Sequence, residues 1–159
     1  MGIKFEPIGI IHSPYTKLHD MPIQPSAASG IKGRVEVYEK YLPGLSDLEG
    51  FSHIYLLYHF HLTKSYQLKV IPFLDDQKRG LFATRAPKRP NSIGLSVVKL
   101  IQVKEHILHV KNIDVIDGTP LLDIKPYVRE MEAVEDLRIG WLEKHISKID
   151  SHLSDKRFK

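Results

Sequence analysis

The constraint that bears hardest on the fold is how the sequence is punctuated. Short runs of β-branched and aromatic residues recur along it, several of them closed by Pro, Asn or Asp. Lys4–His12 carries Ile8, Ile10 and Ile11, and Arg34–Tyr38 alternates polar with apolar. Phe51–His61 is the longest apolar run, and its content predicts a strand buried on both faces. Leu68–Leu74, Gly80–Thr84, Leu95–Val103, Ile107–Lys111 and Asp114–Ile116 continue the series, with Lys104-Glu105-His106 as a tight connection. Many short strands of this kind predict a mainly β fold, a small barrel or sandwich. The period changes near the C-terminus. Val134, Leu137, Trp141, Ile146, Ile149 and Leu153 recur at spacings of three to five, which predicts an amphipathic helix over Met131–His152. Residues 1–130 thus read as a barrel domain, and 131–159 as its C-terminal helix and tail.

At 159 residues and 42% hydrophobic, the chain has apolar material for one core. It has no cysteine, which excludes a disulfide framework, thiolate-bound zinc, an iron–sulfur cluster and a thiol nucleophile. That is compatible with a reducing, cytoplasmic compartment, the setting expected here. No apolar run is long enough for a membrane span, and no signal-peptide pattern opens the chain. The net charge is +4, but its distribution says more. No acidic residue occurs from Gln77 to Lys104, a stretch holding Lys78, Arg79, Arg85, Lys88, Arg89, Lys99 and Lys104. Such a run is the footprint a polyanion finds, or else a solvated face balanced by acids elsewhere in the fold.

Several chemistries are absent from the sequence. There is no Gly-x-Ser-x-Gly, Gly-x-Gly-x-x-Gly or Walker loop. Of nine histidines, His53, His59 and His61 share strand parity; they are a metal site only if a carboxylate joins them, and otherwise packed strand histidines. No metal is expected. Ser13–Gly33, with Pro14, Pro22 and Pro25, is too long for an idle connection in a compact domain: it is a binding loop or a mobile one. Two segments concentrate site-like residues. In the first, Arg85, Lys88 and Arg89 lie on a loop pinned by Pro87 and Pro90, followed by Asn91, Ser92 and Gly94. Forked guanidinium donors suit carboxylates and phosphates, and prolines reduce the ordering cost of binding. The second, Asp114–Tyr127, has an Asp117-Gly118 turn and places Asp123, Lys125 and Tyr127 on one side of an extended chain.

Together these segments resemble the TsaA-like family, whose characterised members are S-adenosylmethionine-dependent methyltransferases acting on threonylcarbamoyl-adenosine in tRNA. The resemblance is carried by Ile8-Gly9-Ile10-Ile11-His12-Ser13-Pro14-Tyr15, Gly50–Tyr55 through Phe60-His61, the Phe82–Gly94 loop and Asp117–Tyr127. It spans about residues 5 to 130. The sequence departs from longer members at Ala86–Ser92, where a Phe-Arg-Pro-Asn-Pro pattern is frequent, and at Ile23, where arginine is common. The resemblance implies a small β-barrel, a homodimer and S-adenosyl-L-methionine bound near the subunit interface. It implies cofactor contacts from Pro22, Ile23, Gln24, His61, Leu62, Arg85, Leu95, Asp117, Gly118, Thr119 and Pro120.

The activity expected from this resemblance is N6-methylation of threonylcarbamoyl-adenosine in the tRNA anticodon loop. The acceptor nitrogen must lose a proton, for which Asp117, Tyr127 and His61 are the candidates. Arg85 is expected beside an anionic group of cofactor or substrate, and Lys88, Arg89 and Asn91 against RNA, read in single-stranded form. A non-catalytic RNA-binding barrel, a histidine metallohydrolase and a small-molecule methyltransferase are the competing readings.

Overall fold

A computed structural model describes residues 1–19, 21–23 and 25–148. Its strands are β1 (Gly9–His12), β2 (Lys32–Val37), β3 (His53–His59), β4 (Lys69–Val70), β5 (Arg79–Gly80), β6 (Ile93–Lys104), β7 (Ile107–Lys111) and β8 (Thr119–Pro126). Six of them close a barrel in the order β1-β2-β7-β6-β3-β8, with every pairing antiparallel. Closure leaves no open edge in this sheet. The expected barrel is therefore the fold.

Period two decides what fills it. Ile11, Val35, Val37, Ile54, Leu56, Val98, Leu108, Val110 and Leu121 alternate inward and are at most 1% exposed. β3 corrects one expectation: it is buried on one face, with Ile54, Leu56 and Tyr58 inside and His53, Tyr55, Leu57 and His59 outside. Its apolar outer residues lie under neighbouring segments, as where Tyr55 meets the ring of Tyr127 at 5.5 Å.

Outside the barrel, β4 and β5 form a two-stranded sheet over a second core of Val70, Leu81 and Ala86. Only Lys69–Val70 of the expected Leu68–Leu74 strand pairs, and Leu81–Ala83 is a 3-10 turn. Asp114–Ile116 is not a strand; it joins β7 to β8.

The C-terminal helix expected over Met131–His152 is not formed in its described part. Arg129–Glu132 is a single α turn (α1), followed by 3-10 turns at Gly140–Lys144 and Ile146–Lys148. Asp136 and Gly140 take left-handed φ values of 52° and 59°, which interrupt a right-handed helix. The barrel also closes without a helix, so Met131, Val134 and Leu137 meet no core and are 79%, 67% and 71% exposed. Residues 149–152 of that expectation lie outside the described residues. No helix among the described residues is long and apolar enough to cross a membrane.

Candidate active site

One end of the barrel opens into a cavity of about 340 Å³. Its base comes from the ends of three strands and a linker: Tyr58 at the end of β3, Gly94 and Leu95 at the start of β6, Asp114–Ile116 after β7, and Thr119 opening β8. Leu18, Met21, Pro22 and Ile23 cover one side, so the Pro-rich segment is a cavity wall. Arg85 and Arg89 of the basic loop stand on another side, with His61 and Leu62 beside them. A register shift between Leu57 and Tyr58 in the β3–β8 pairing marks a bulge at the cavity end of β3.

Three side chains at the base form a hydrogen-bonded line. Ser96 Oγ donates to Asp114 Oδ1 at 2.6 Å, and the Tyr58 hydroxyl lies 3.0 Å from Ser96 Oγ. With the serine proton directed at the carboxylate, Tyr58 donates to Ser96. Tyr58 has room because its ring lies over Gly94, its cross-strand partner; a Cβ there would run into the ring. Burial pushes the Asp114 carboxyl up to about 6, against the opposing effects of the Ser96 hydrogen bond, its own backbone and the Arg85 charge. Burial also raises the Tyr58 hydroxyl, helped by Asp114, and raises Tyr15 on the covering loop in the same way. A carboxyl that titrates near neutrality in a cleft is an uncommon and useful group. Burial lowers His61, the neutral ring is favoured, and its Nδ1 has no hydrogen-bond partner among the described residues.

The basic loop is held from within. Arg89 Nη1 donates to the carbonyls of Thr84 (2.9 Å), Ala86 (3.2 Å) and Leu81 (3.4 Å), and its guanidinium lies 5.7 Å from the Phe82 ring centre. From outside, Trp141 Nε1 donates to the Ala83 carbonyl at 2.8 Å. Arg79 lies 5.7 Å from the Trp141 ring centre and gives Asp75 a 2.7 Å hydrogen bond. The C-terminal segment thus latches the loop that carries Arg85.

The structure brings together seven of the residues expected to hold a cofactor: Pro22, Ile23, His61, Leu62, Arg85, Leu95 and Thr119 line the one cavity. Gln24 lies outside the described residues. Asp117 and Gly118 stand beside the cavity and build a turn. Asp117 Oδ1 accepts the Ser13 N–H at 3.0 Å and lies 3.5 Å from His12 Nδ1, while Gly118, at φ +78°, donates its N–H to Ile11. Pro120 is on β8 opposite Ile10. Tyr127 is not brought to the cavity. It follows Pro126, which pairs with Ile54 at the other end of β3, and its ring packs on His53 and Tyr55. Lys88 and Asn91 lie further along the basic loop, outside the cavity lining. Sequence reasoning singled out the Asp114–Tyr127 segment but missed the grouping of Asp114 with Ser96 and Tyr58. The available signal was one acid inside the apolar run Ile113-Asp114-Val115-Ile116.

Comparison with known proteins points the same way. Residues 10–133 match the tRNA-methyltransferase O N-terminal domain. The chain is 54% identical to a probable S-adenosyl-L-methionine-binding protein of Pyrococcus abyssi, over 98% of this chain and 85% of that protein. It is 38% identical to the tRNA (adenine(37)-N6)-methyltransferase of Mus musculus, over 84% of this chain but 33% of that enzyme. The crystal structure of TrmO from Pseudomonas aeruginosa superposes with a TM-score of 0.74 at 38% identity, covering 89% of this chain and 63% of that one. The chain belongs to the tRNA-methyltransferase O N-terminal domain family.

Proposed function

We propose that this chain is an S-adenosylmethionine-dependent tRNA methyltransferase acting on adenosine N6, with threonylcarbamoyl-adenosine of the anticodon loop as its substrate. The observation that carries the chemistry is Asp114, a half-buried carboxyl at the base of a ligand-sized cavity, tied to Ser96 and within the electrostatic reach of Arg85. The residues present suit the cofactor. The cavity falls in the size range of small-molecule sites and is walled mainly by apolar groups. The unpartnered His61 Nδ1 offers a hydrogen bond, and Arg85 a forked cation for a carboxylate. Pro22, Ile23, His61, Leu62, Leu95 and Thr119 would hold the rest of the cofactor.

S-adenosylmethionine supplies an activated methyl carbon and, in its sulfur, the leaving group. The acceptor nitrogen gains the methyl group and must release one proton. Asp114 takes that proton: as a carboxylate it is available above about pH 6, and burial makes it a stronger base than an ordinary aspartate. Ser96 and Tyr58 hold the carboxylate in place. Asp117 is engaged by Ser13 and His12, and Tyr127 lies on the outer face, so neither competes for this role. Arg85 serves an anionic group of cofactor or substrate. Lys88 and Asn91 extend toward RNA, with Arg89 shaping the loop beneath them.

Calorimetric titration with S-adenosylmethionine tests the cofactor, with saturable binding at about one per chain as the expected result. Methyl transfer is then measured to tRNA with and without the threonylcarbamoyl group, and only the modified tRNA is expected to accept methyl. A folded protein that binds tRNA but no cofactor would make it an RNA-binding barrel instead. A homodimer belongs to the same proposal, and sedimentation equilibrium tests it.

A further inference from the structure

The outer wall of the barrel carries charges that the cavity does not use. Lys32 on β2 stands directly opposite Lys111 on β7, and Lys111 stands directly opposite Lys99 on β6. His53 on β3 continues that row beyond Lys99. Two residues along the strands, on the same face, Arg34 stands opposite His109. All of these side chains point outward, because the alternate positions Gly33, Val35, Val98, Leu100, Leu108 and Val110 face the interior. Lys32, Arg34, Lys99 and His109 are exposed, and Lys111 is half-buried. Among the described residues, none of the five lies within ion-pair distance of a carboxylate.

Like charges placed directly opposite across strands oppose sheet pairing. Neighbouring strands are about 4.8 Å apart, so three lysines in one row repel within a span of about 10 Å. A chain of phosphates laid along the row turns that repulsion into attraction and releases counterions. The row comes close to the site at Lys111, where β7 ends three residues before Asp114. We propose that the tRNA backbone docks on this wall, across Lys32, Lys111 and Lys99 with Arg34 and His109 alongside, and that this row, more than the Arg85–Asn91 loop, supplies the sequence-independent affinity for RNA. This rests on the tRNA-methyltransferase reading above.

The test is the salt dependence of tRNA binding by the full chain and by the triple variant Lys32→Gln, Lys99→Gln, Lys111→Gln. Loss of cross-strand repulsion leaves its Tm at or above wild type. Each lost phosphate contact lowers the slope of log K against log salt by about 0.7–0.9. The triple variant is expected to lose about 2 from the slope and at least about tenfold in affinity at moderate salt, with S-adenosylmethionine binding unchanged. Lys104→Gln, on β6 at the far end from the cavity, keeps the wild-type slope. If wild type binds tRNA and the triple variant keeps its slope, the row is not the RNA surface. If wild type binds no tRNA, the substrate reading falls together with this one. If the triple substitution instead releases the protein from phosphatidylserine vesicles and leaves tRNA binding intact, the wall is a membrane-facing surface and the proposal is overturned.

Discussion

Two carboxyls in this chain, Asp75 and the half-buried Asp114, have pKa values shifted in opposite directions. Asp75, its side chain 2% exposed, has its own cation: Arg79 donates at 2.7 Å, and the backbone N–H groups of Asp76 and Gln77 add two more hydrogen bonds. Burial raises its pKa, but these partners outweigh burial and pull it down to about 2. Asp114 is served by one hydroxyl at 2.6 Å and has Arg85 near it without a salt bridge, so burial wins and its pKa rises to about 6. The first arrangement fixes a latch. The second leaves a carboxyl with a pKa near 6, the property the proposed proton acceptor needs. The contrast teaches that burial alone does not mark a working carboxyl; the partners it lacks do.

The sharpest way to break the comparison is to neutralise each carboxyl in turn. Asp114→Asn should lower single-turnover methyl transfer by about 10²–10⁴-fold, with cofactor affinity by calorimetry within about threefold of wild type. Asp75→Asn should cost less than about tenfold in rate, because it acts only through the latch, yet lower the Tm at neutral pH. Equal rate losses in the two variants would erase the distinction.

Gly94→Ala probes the packing under Asp114. The added Cβ meets the Tyr58 ring, so overpacking should destabilise the chain by about 1–3 kcal/mol and disturb the line to Ser96. Denaturant unfolding measures it, and a wild-type midpoint would contradict the packing described here.

The pH dependence of stability should carry opposite signs for the two groups. Asp114 has a folded pKa above the ordinary value of 3.8. Its contribution is full below about pH 4 and is lost as pH rises through about 6. Asp75 has a folded pKa below 3.8, so its contribution is present above that value and is lost as pH falls toward 2. Asp114→Asn should therefore flatten the wild-type decline in unfolding free energy between pH 4 and 6, an effect of at most about 3 kcal/mol.

Much of the barrel was legible because period two and turn residues are local signals. Ile107–Lys111 emerges as read, its connection read as Lys104-Glu105-His106 is one residue shorter because β6 runs through Lys104, and Arg34–Tyr38 and Leu95–Val103 differ only at their ends. The C-terminal helix misled because spacing records which residues could share a face, while the barrel had already closed and left Met131, Val134 and Leu137 nothing to cover. Arg85 was legible as a forked cation on a proline-pinned loop and Pro22 as part of a long Pro-rich segment, whereas Leu95 was reached only through the family resemblance. Asp114 opened the second site-like segment, but its role was not legible for a different reason. Its chemistry depends on Ser96 and Tyr58, brought together from β6 and β3, and no local pattern records that meeting. Arg89 looked like a free cation, but its carbonyl partners are set by how the loop curls.

The most direct test of the account is the pH profile of kcat/KM for methyl transfer to threonylcarbamoyl-modified tRNA, in wild type and in Ser96→Ala. The acid limb reports an essential base of the free enzyme. Wild type should lose activity as pH falls through about 6, where Asp114 takes up its proton. The Ser96 hydrogen bond lowers that value, and Tyr15, Tyr58 and Arg85, the other groups that face the carboxyl, are unchanged in the variant. Its removal should therefore move the limb to higher pH. A profile flat from pH 5 to 8 in wild type, or a limb that stays in place in Ser96→Ala, would contradict the assignment of Asp114 as the proton acceptor.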